Sequence, residues 1–226
     1  MATVVLLGFS TTGKSTILKD FASRYSSYNL ETIDTDRRIP IPDYAKTEED
    51  AHIYTVFNQL VKGQDRSKAL RYIEKREREI LNSLQPGKNP QIVAAGPALA
   101  SREPEWTKFT KRVNPVCFYL EKTAEEVYEG LLNRRNDKKK FPKKVRERAD
   151  FGSWDEDVIT EYENGKWVEI PKVRAIANIT RHMKPLIQIY EAHSSGRKYK
   201  SLDLQRNSAV KDEFYAKIRD ALGIPE

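Results

Sequence analysis

The chain has 226 residues, 38 % hydrophobic and 32 % charged, enough apolar material for an ordinary core beneath a well-solvated surface. No apolar run nears the roughly 20 residues of a membrane span. The start, Met1-Ala-Thr-Val-Val-Leu-Leu-Gly8, has neither the basic leader nor the long apolar stretch of a secretory signal, so a cytoplasmic protein without membrane contact is expected. A lone cysteine, Cys117, excludes an internal disulfide and a Cys-based zinc site. The net charge of +7 has one address: nine basic and two acidic residues between Asn133 and Arg148 account for all of it.

Taken in chain order, Thr3 to Leu7 is a β-branched apolar run that reads as a buried strand. A helix follows from Lys14 to about Tyr25, with Ile17, Leu18, Phe21 and Ala22 at helical spacing. Asn29 to Ile33 reads as a second strand ending at Asp34-Thr35-Asp36, and Pro40 and Pro42 open a loop. Periodicity predicts helices over Glu48–Val61 and Arg66–Leu84, a turn at Pro86–Pro90, and strands over Gln91–Ala95 and Pro115–Leu120. Thr123–Arg135 is amphipathic and runs into the basic segment. Asn164-Gly165 between two alternating runs, Ile159–Glu163 and Lys166–Ile170, predicts a β-hairpin. Val173–Ala192 reads as a helix despite Pro185, Lys200–Leu204 as a fifth strand, and Ser208–Leu222 as the closing helix.

Strands alternating with helices predict an α/β fold, a parallel sheet with helices on both faces. The whole chain, 1–226, is expected to be one such domain, with residues 134–172 forming a basic lid and hairpin insertion. Ligands of such sheets bind beyond the carboxyl ends of the strands, where both sharp motifs fall. Gly8-Phe9-Ser10-Thr11-Thr12-Gly13-Lys14-Ser15 fits the G-x-x-x-x-G-K-[ST] pattern between a strand and a helix. Glycines let the backbone curl so that its N–H groups, with the helix N-terminus, aim at phosphate oxygens. Gly8, Ser10, Thr11, Thr12, Gly13, Lys14, Ser15 and Thr16 are the expected contacts of a nucleoside triphosphate, ATP above all. Lys14 would bridge the outer phosphates and Ser15 would offer its hydroxyl to Mg²⁺. Asp34 and Asp36 suit two further tasks, one carboxylate for the metal and one for an acceptor hydroxyl, although aspartates after strands also serve plain turn chemistry.

With these motifs the chain resembles the shikimate kinase family of small P-loop kinases. The phosphate loop is followed by Ile33-Asp34-Thr35-Asp36, which looks like that family's D-T-D element. The similarity runs on through Glu77–Leu84, Ile92–Gly96, Ser101-Arg102-Glu103 and Tyr119-Leu120-Glu121, with a return at Lys184-Pro185-Leu186. The resemblance implies a three-layer fold with a five-stranded parallel sheet in the order 2-3-1-4-5. It also implies an ATP- and Mg²⁺-dependent phosphotransferase acting on a hydroxyl of a small molecule. Asp34 would serve the metal in place of a carboxylate on Gln91–Ala95, and Asp36 would position or deprotonate the acceptor. Arg134 and Arg135, where the family carries its basic lid, would steady the transferring group, with Arg71 and Gly96 near the acceptor. The chain departs from the family in two places. Ala95-Gly96-Pro97 stands where three glycines are usual, and Glu74 where an arginine binds the shikimate carboxylate. Both argue against shikimate itself and leave another hydroxylated molecule open.

Two other readings compete. The basic segment with nearby aromatics could track a nucleic acid, and Asp36 followed by Arg37 and Arg38 also suits a polynucleotide kinase. The missing glycines also fit a nucleotide-binding module without acceptor chemistry. Trp154, Tyr162 and Trp167 fit a small hairpin core better than a ligand stack, and His52, His182 and His193 show no metal spacing.

Overall fold

The computed structural model describes residues 2–37, 66–135, 159–163 and 166–225. Its centre is strand β1 (Thr3–Leu7), every residue of which is buried. β1 is flanked in parallel by β3 (Gln91–Ala94) and β4 (Val116–Glu121). β2 (Glu31–Asp34) adds outside β3, and β7 (Lys198–Lys200) outside β4. The order is β2-β3-β1-β4-β7, the expected 2-3-1-4-5 with β7 as the fifth strand of the sheet.

Period-2 alternation sorts the strand side chains between two cores. Val5, Leu7, Ile33, Val93, Cys117 and Tyr119 face one way. They pack against α2 (Arg66–Ser83), α3 (Glu105–Val113), α4 (Ala124–Arg135) and α5 (Lys172–Ser194). Val4, Leu6, Ile92, Phe118 and Leu120 face the other way, onto α1 (Lys14–Arg24), the short α6 (Ser201–Arg206) and α7 (Ser208–Leu222). A fully covered parallel sheet is what near-continuous apolar strands require. Cys117 belongs to the first core, where burial pushes its thiol up to about 12, outside the range of a nucleophile.

Helix ends follow local chemistry. Thr123 and Glu126 form a reciprocal capping box: the Glu126 N–H donates to Thr123 Oγ1 at 3.2 Å and the Thr123 N–H to Glu126 Oε2 at 2.7 Å. Asn207 accepts from the N–H groups of Ala209 and Val210 and so starts α7. Residues β5 (Thr160–Glu163) and β6 (Lys166–Glu169) pair antiparallel, as the hairpin pattern predicts, with the turn itself outside the described residues. No helix among the described residues is long and apolar enough to cross a membrane.

Two expectations need correction, and one helix had no expectation at all. The last sheet strand is Lys198–Lys200, and the stretch expected as strand from Lys200 to Leu204 is mostly the helix α6. Leu202 and Leu204 mimic strand alternation, but the buried pair Ser201 and Leu204 follows helical spacing. β2 begins two residues later than expected and takes in Asp34, after which Thr35–Arg37 coils into a 3₁₀ turn. Asp34 and Asp36 are therefore not two residues of one extended segment. Helix α3 was not foreseen, although Trp106, Phe109 and Val113 mark its buried face. The expected helix at 48–61, Pro40 and Pro42, Trp154 and the basic residues beyond Arg135 lie outside the described residues.

Candidate functional site

The loop between β1 and α1 lies at the carboxyl edge of the sheet, and its conformation is set by few residues. Gly13 has φ 85°, a left-handed geometry that costs glycine little. It is also the N-cap of α1 and makes no side-chain cap bond, which leaves the first N–H groups of the helix aimed outward. Lys14 is buried to 8 % exposure, and its ammonium donates to the carbonyls of Gly8 at 2.7 Å and Phe9 at 3.0 Å. The cation is thus held across the mouth of the loop. Thr12 Oγ1 donates to Phe9 O at 2.9 Å, and Ser201 Oγ to Thr12 O at 2.8 Å, so the corner of β7 and α6 braces the loop from the far side. Ser10 is buried, Ser15 half-buried on the first turn of α1, and Thr16 exposed.

Thr11 is the anomaly. Its φ is 68°, a left-handed conformation that costs a β-branched residue about 1–2 kcal/mol. Its Oγ1 is buried without a hydrogen-bond partner. The side chain faces Gly130 of α4: a Cβ at Gly130 would lie 2.6 Å from Thr11 Oγ1 and 2.7 Å from Thr11 Cβ.

The acidic pair is fixed by Thr35, the middle residue of the D-T-D element, to which the sequence reading gave no role of its own. Thr35 is buried; its Oγ1 accepts from the Gly96 N–H at 2.8 Å and donates to Ala94 O at 3.3 Å. This staples the end of β2 to the end of β3. Asp34, the last residue of β2, stands in register with Ala94, and its Oδ2 is shut off from solvent. Asp36, one residue past the staple, lies against the Cα of Gly96, with its Oδ1 under 3.0 Å from where a Cβ would stand. Thr35 thus brings Asp36 and Gly96 together beside the phosphate loop. Pro97 follows, its carbonyl accepting from the Tyr190 hydroxyl.

Beyond Pro97, Arg102 donates to Glu77 at 2.6 Å, and Arg78 bridges Glu74 at 2.9 Å and Glu105. The Arg78 bond holds the Glu74 carboxyl below the usual range. Glu74 is therefore the partner of Arg78, one of three carboxylates in the cluster that share the two guanidinium groups. Arg71 is exposed on α2, and no described contact joins it to Asp36. Arg134 and Arg135 close α4, and of them the structure describes the backbone alone.

The donor set can be tested against magnesium by its chemistry. Mg²⁺ prefers hard oxygen donors and keeps most of its shell as water and phosphate. A serine hydroxyl on the first turn of α1 and a carboxylate two strands away at the same sheet edge are donors of that kind, so Ser15 and Asp34 fit. Among the described residues no group of three or more His, Cys, Asp or Glu gathers to make an all-protein cage.

No protein-family model matches the chain, and no curated protein matches it in sequence. Solved structures do. The shikimate kinase of Acinetobacter baumannii, determined in complex with shikimate, superposes with a TM-score of 0.56 at 16 % identity, covering 99 % of this chain and 94 % of that one. The shikimate kinase of Bacteroides thetaiotaomicron gives 0.54 at 14 % identity, with 99 % of each chain covered. That of Aquifex aeolicus gives 0.51 at 15 %, covering 98 % and 96 %. At such identities the finding concerns the fold: this chain has the P-loop kinase fold of the shikimate kinases.

Proposed function

We propose, with that shared fold as premise, that the protein is an ATP- and Mg²⁺-dependent phosphotransferase acting on a hydroxyl of a small molecule. The whole chain would form one catalytic unit, with residues 134–172 as its lid and hairpin insertion. The observation that carries the reading is the Thr35 staple, which holds Asp36 against Gly96 at the sheet edge that also bears the phosphate loop. A nucleotide-binding module needs the loop but has no use for a carboxylate fixed beside it.

ATP supplies the transferable phosphoryl group, and magnesium offsets its charge. The loop N–H groups from Gly8 to Thr16 and the Lys14 ammonium bind and orient the phosphates, exchanging the Gly8 and Phe9 carbonyls for phosphate oxygens. Ser15 would hold the metal directly and Asp34 through water, since Asp34 lies two strands, about 10 Å, from β1. Asp36 orients the acceptor hydroxyl and takes its proton as the acceptor oxygen bonds to the γ-phosphorus. The bond from that phosphorus to the bridging oxygen breaks, and ADP leaves with its electron pair. Positive charge from Arg134 or Arg135 would steady the transferring group, because positioning and charge stabilisation are the protein's main contributions to this reaction. Gly96 and Arg71 would border the acceptor.

The test is ADP release from MgATP across neutral cyclic polyols, carboxylated polyols including shikimate, and 5′-hydroxyl oligonucleotides. Stimulation by a small polyol supports the reading. Stimulation by oligonucleotides alone, or by nothing in the panel, counts against it.

A further inference from the structure

We propose that Gly130 is a positioning residue, which seats α4 on Thr11 of the phosphate loop and thereby sets where Arg134 and Arg135 stand relative to a bound triphosphate. The inference rests on reading the loop as a triphosphate site. It deepens that reading by naming the contact through which the loop and the arginine-bearing helix locate each other.

Three observations meet at this contact. A Cβ at Gly130 would fall 2.6, 2.7 and 3.1 Å from Thr11 Oγ1, Cβ and Cγ2, where ordinary contact begins at 3.4 Å. Thr11 has little freedom to retreat, because it sits at φ 68° in a loop fastened by Thr12 to Phe9 and by Ser201 to Thr12. And its hydroxyl is enclosed against the helix with no hydrogen bond to gain, so the threonine serves there as bulk. Helix position is then a matter of steric fit between one side chain and one absent side chain. Arg134 lies four residues on from Gly130, about 6 Å along the helix axis at 1.5 Å per residue. A displacement at Gly130 is carried by the rigid helix to both arginines.

The consequence is selective. In the proposed reaction Arg134 or Arg135 steadies the transferring group, so the last turn of α4 would bear on the γ-phosphate more than on the α- and β-phosphates, which the loop itself would hold. Disturbing the seat should therefore weaken triphosphate binding more than diphosphate binding, a ratio that a general loss of stability does not move.

Calorimetry with MgADP and with the magnesium complex of β,γ-imido-ATP, alongside melting curves, tests this on wild type, Gly130→Ala, Thr11→Gly and the double variant. Gly130→Ala needs a separation of 0.8 Å (3.4 minus 2.6). It is expected to lower the triphosphate-to-diphosphate affinity ratio about tenfold, the scale of one hydrogen bond to a charged group. Thr11→Gly adds no bulk and relieves a left-handed threonine, so it should keep its melting temperature yet lose part of the ratio. The double variant places one methyl between the two backbones and should recover both ratio and melting temperature relative to Gly130→Ala. An unchanged ratio in both single variants with normal MgADP binding overturns the role of Gly130 alone, as does a double variant no better than Gly130→Ala. Failure of wild type to bind either nucleotide overturns the phosphate-site reading beneath it.

Discussion

Replacing Gly96 with alanine probes the acceptor side of the site without removing a charged group. The added Cβ would fall under 3.0 Å from Asp36 Oδ1, while Asp36 Cγ and Thr35 Oγ1 stand at 3.5 Å, already in ordinary contact. Ordinary contact begins at 3.4 Å, so the carboxylate oxygen must move by at least 0.4 Å (3.4 minus 3.0). Misplacement of a reacting group by about 1 Å costs on the order of 10²-fold in rate. A shift of this size predicts a fall in kcat of about tenfold or more, roughly 1.4 kcal/mol of barrier. The carboxylate is the free end of a side chain and can turn aside, so the fold should lose little. The assay is steady-state ADP release at saturating MgATP with the acceptor found by the panel, paired with MgADP titration. Unchanged kcat would refute the argument that Asp36 works from its place against Gly96. Loss of MgADP affinity with intact kcat would refute the division of labour between loop and staple.

Asp36→Asn should abolish phosphoryl transfer while leaving MgADP affinity within a few-fold, as measured by calorimetry and ADP release. Glu77→Gln leaves Arg102 facing a neutral amide in a site where Glu77 is only 4 % exposed and Arg102 22 %. Breaking such a pair costs about 3 kcal/mol, and the melting temperature should fall by roughly 6–12 °C. A third expectation concerns pH. Trp106 Nε1 donates to His193 Nε2 at 2.8 Å, which requires neutral imidazole with its proton on Nδ1, and burial lowers the His193 pKa from 6.5. Because the folded state holds the lower pKa, the unfolded chain binds more protons on acidification. The His193 contribution is thus present above pH 6.5 and lost as pH falls through the folded value. Melting at pH 7.5 and pH 5 should show that loss in wild type and less of it in His193→Gln.

The loop between β1 and α1 and the central strands were readable because both are local signals: a fixed glycine-lysine spacing, and β-branched runs with no polar interruption. The hairpin was equally local, carried by alternation around Asn164-Gly165. Legibility failed where structure is decided between distant segments. Thr35 stands inside the D-T-D element, but it acts through Gly96 and Ala94, some sixty residues on, and nothing in its own neighbourhood reveals that task. The seat of Gly130 on Thr11 is of the same kind. Glu74 was placed only by its position in the resemblance, and its pairing with Arg78, one turn away on the same helix, appears only in the structure. The three-residue edge strand β7 was misplaced because so short a strand takes its position from pairing with β4, not from its own pattern. Helix α3 is a different kind of miss. Its signal was present in Trp106, Phe109 and Val113, with Glu105 favouring its first turn.

Every functional statement above depends on the Lys14 loop gripping a polyphosphate. Calorimetric titration of MgADP into wild type and Lys14→Ala tests this most directly. Saturable binding in wild type, weakened at least about 100-fold in the variant, is the predicted result, in keeping with loss of a buried charge-assisted contact. No heat of binding in wild type, or equal affinity in both proteins, would contradict the account.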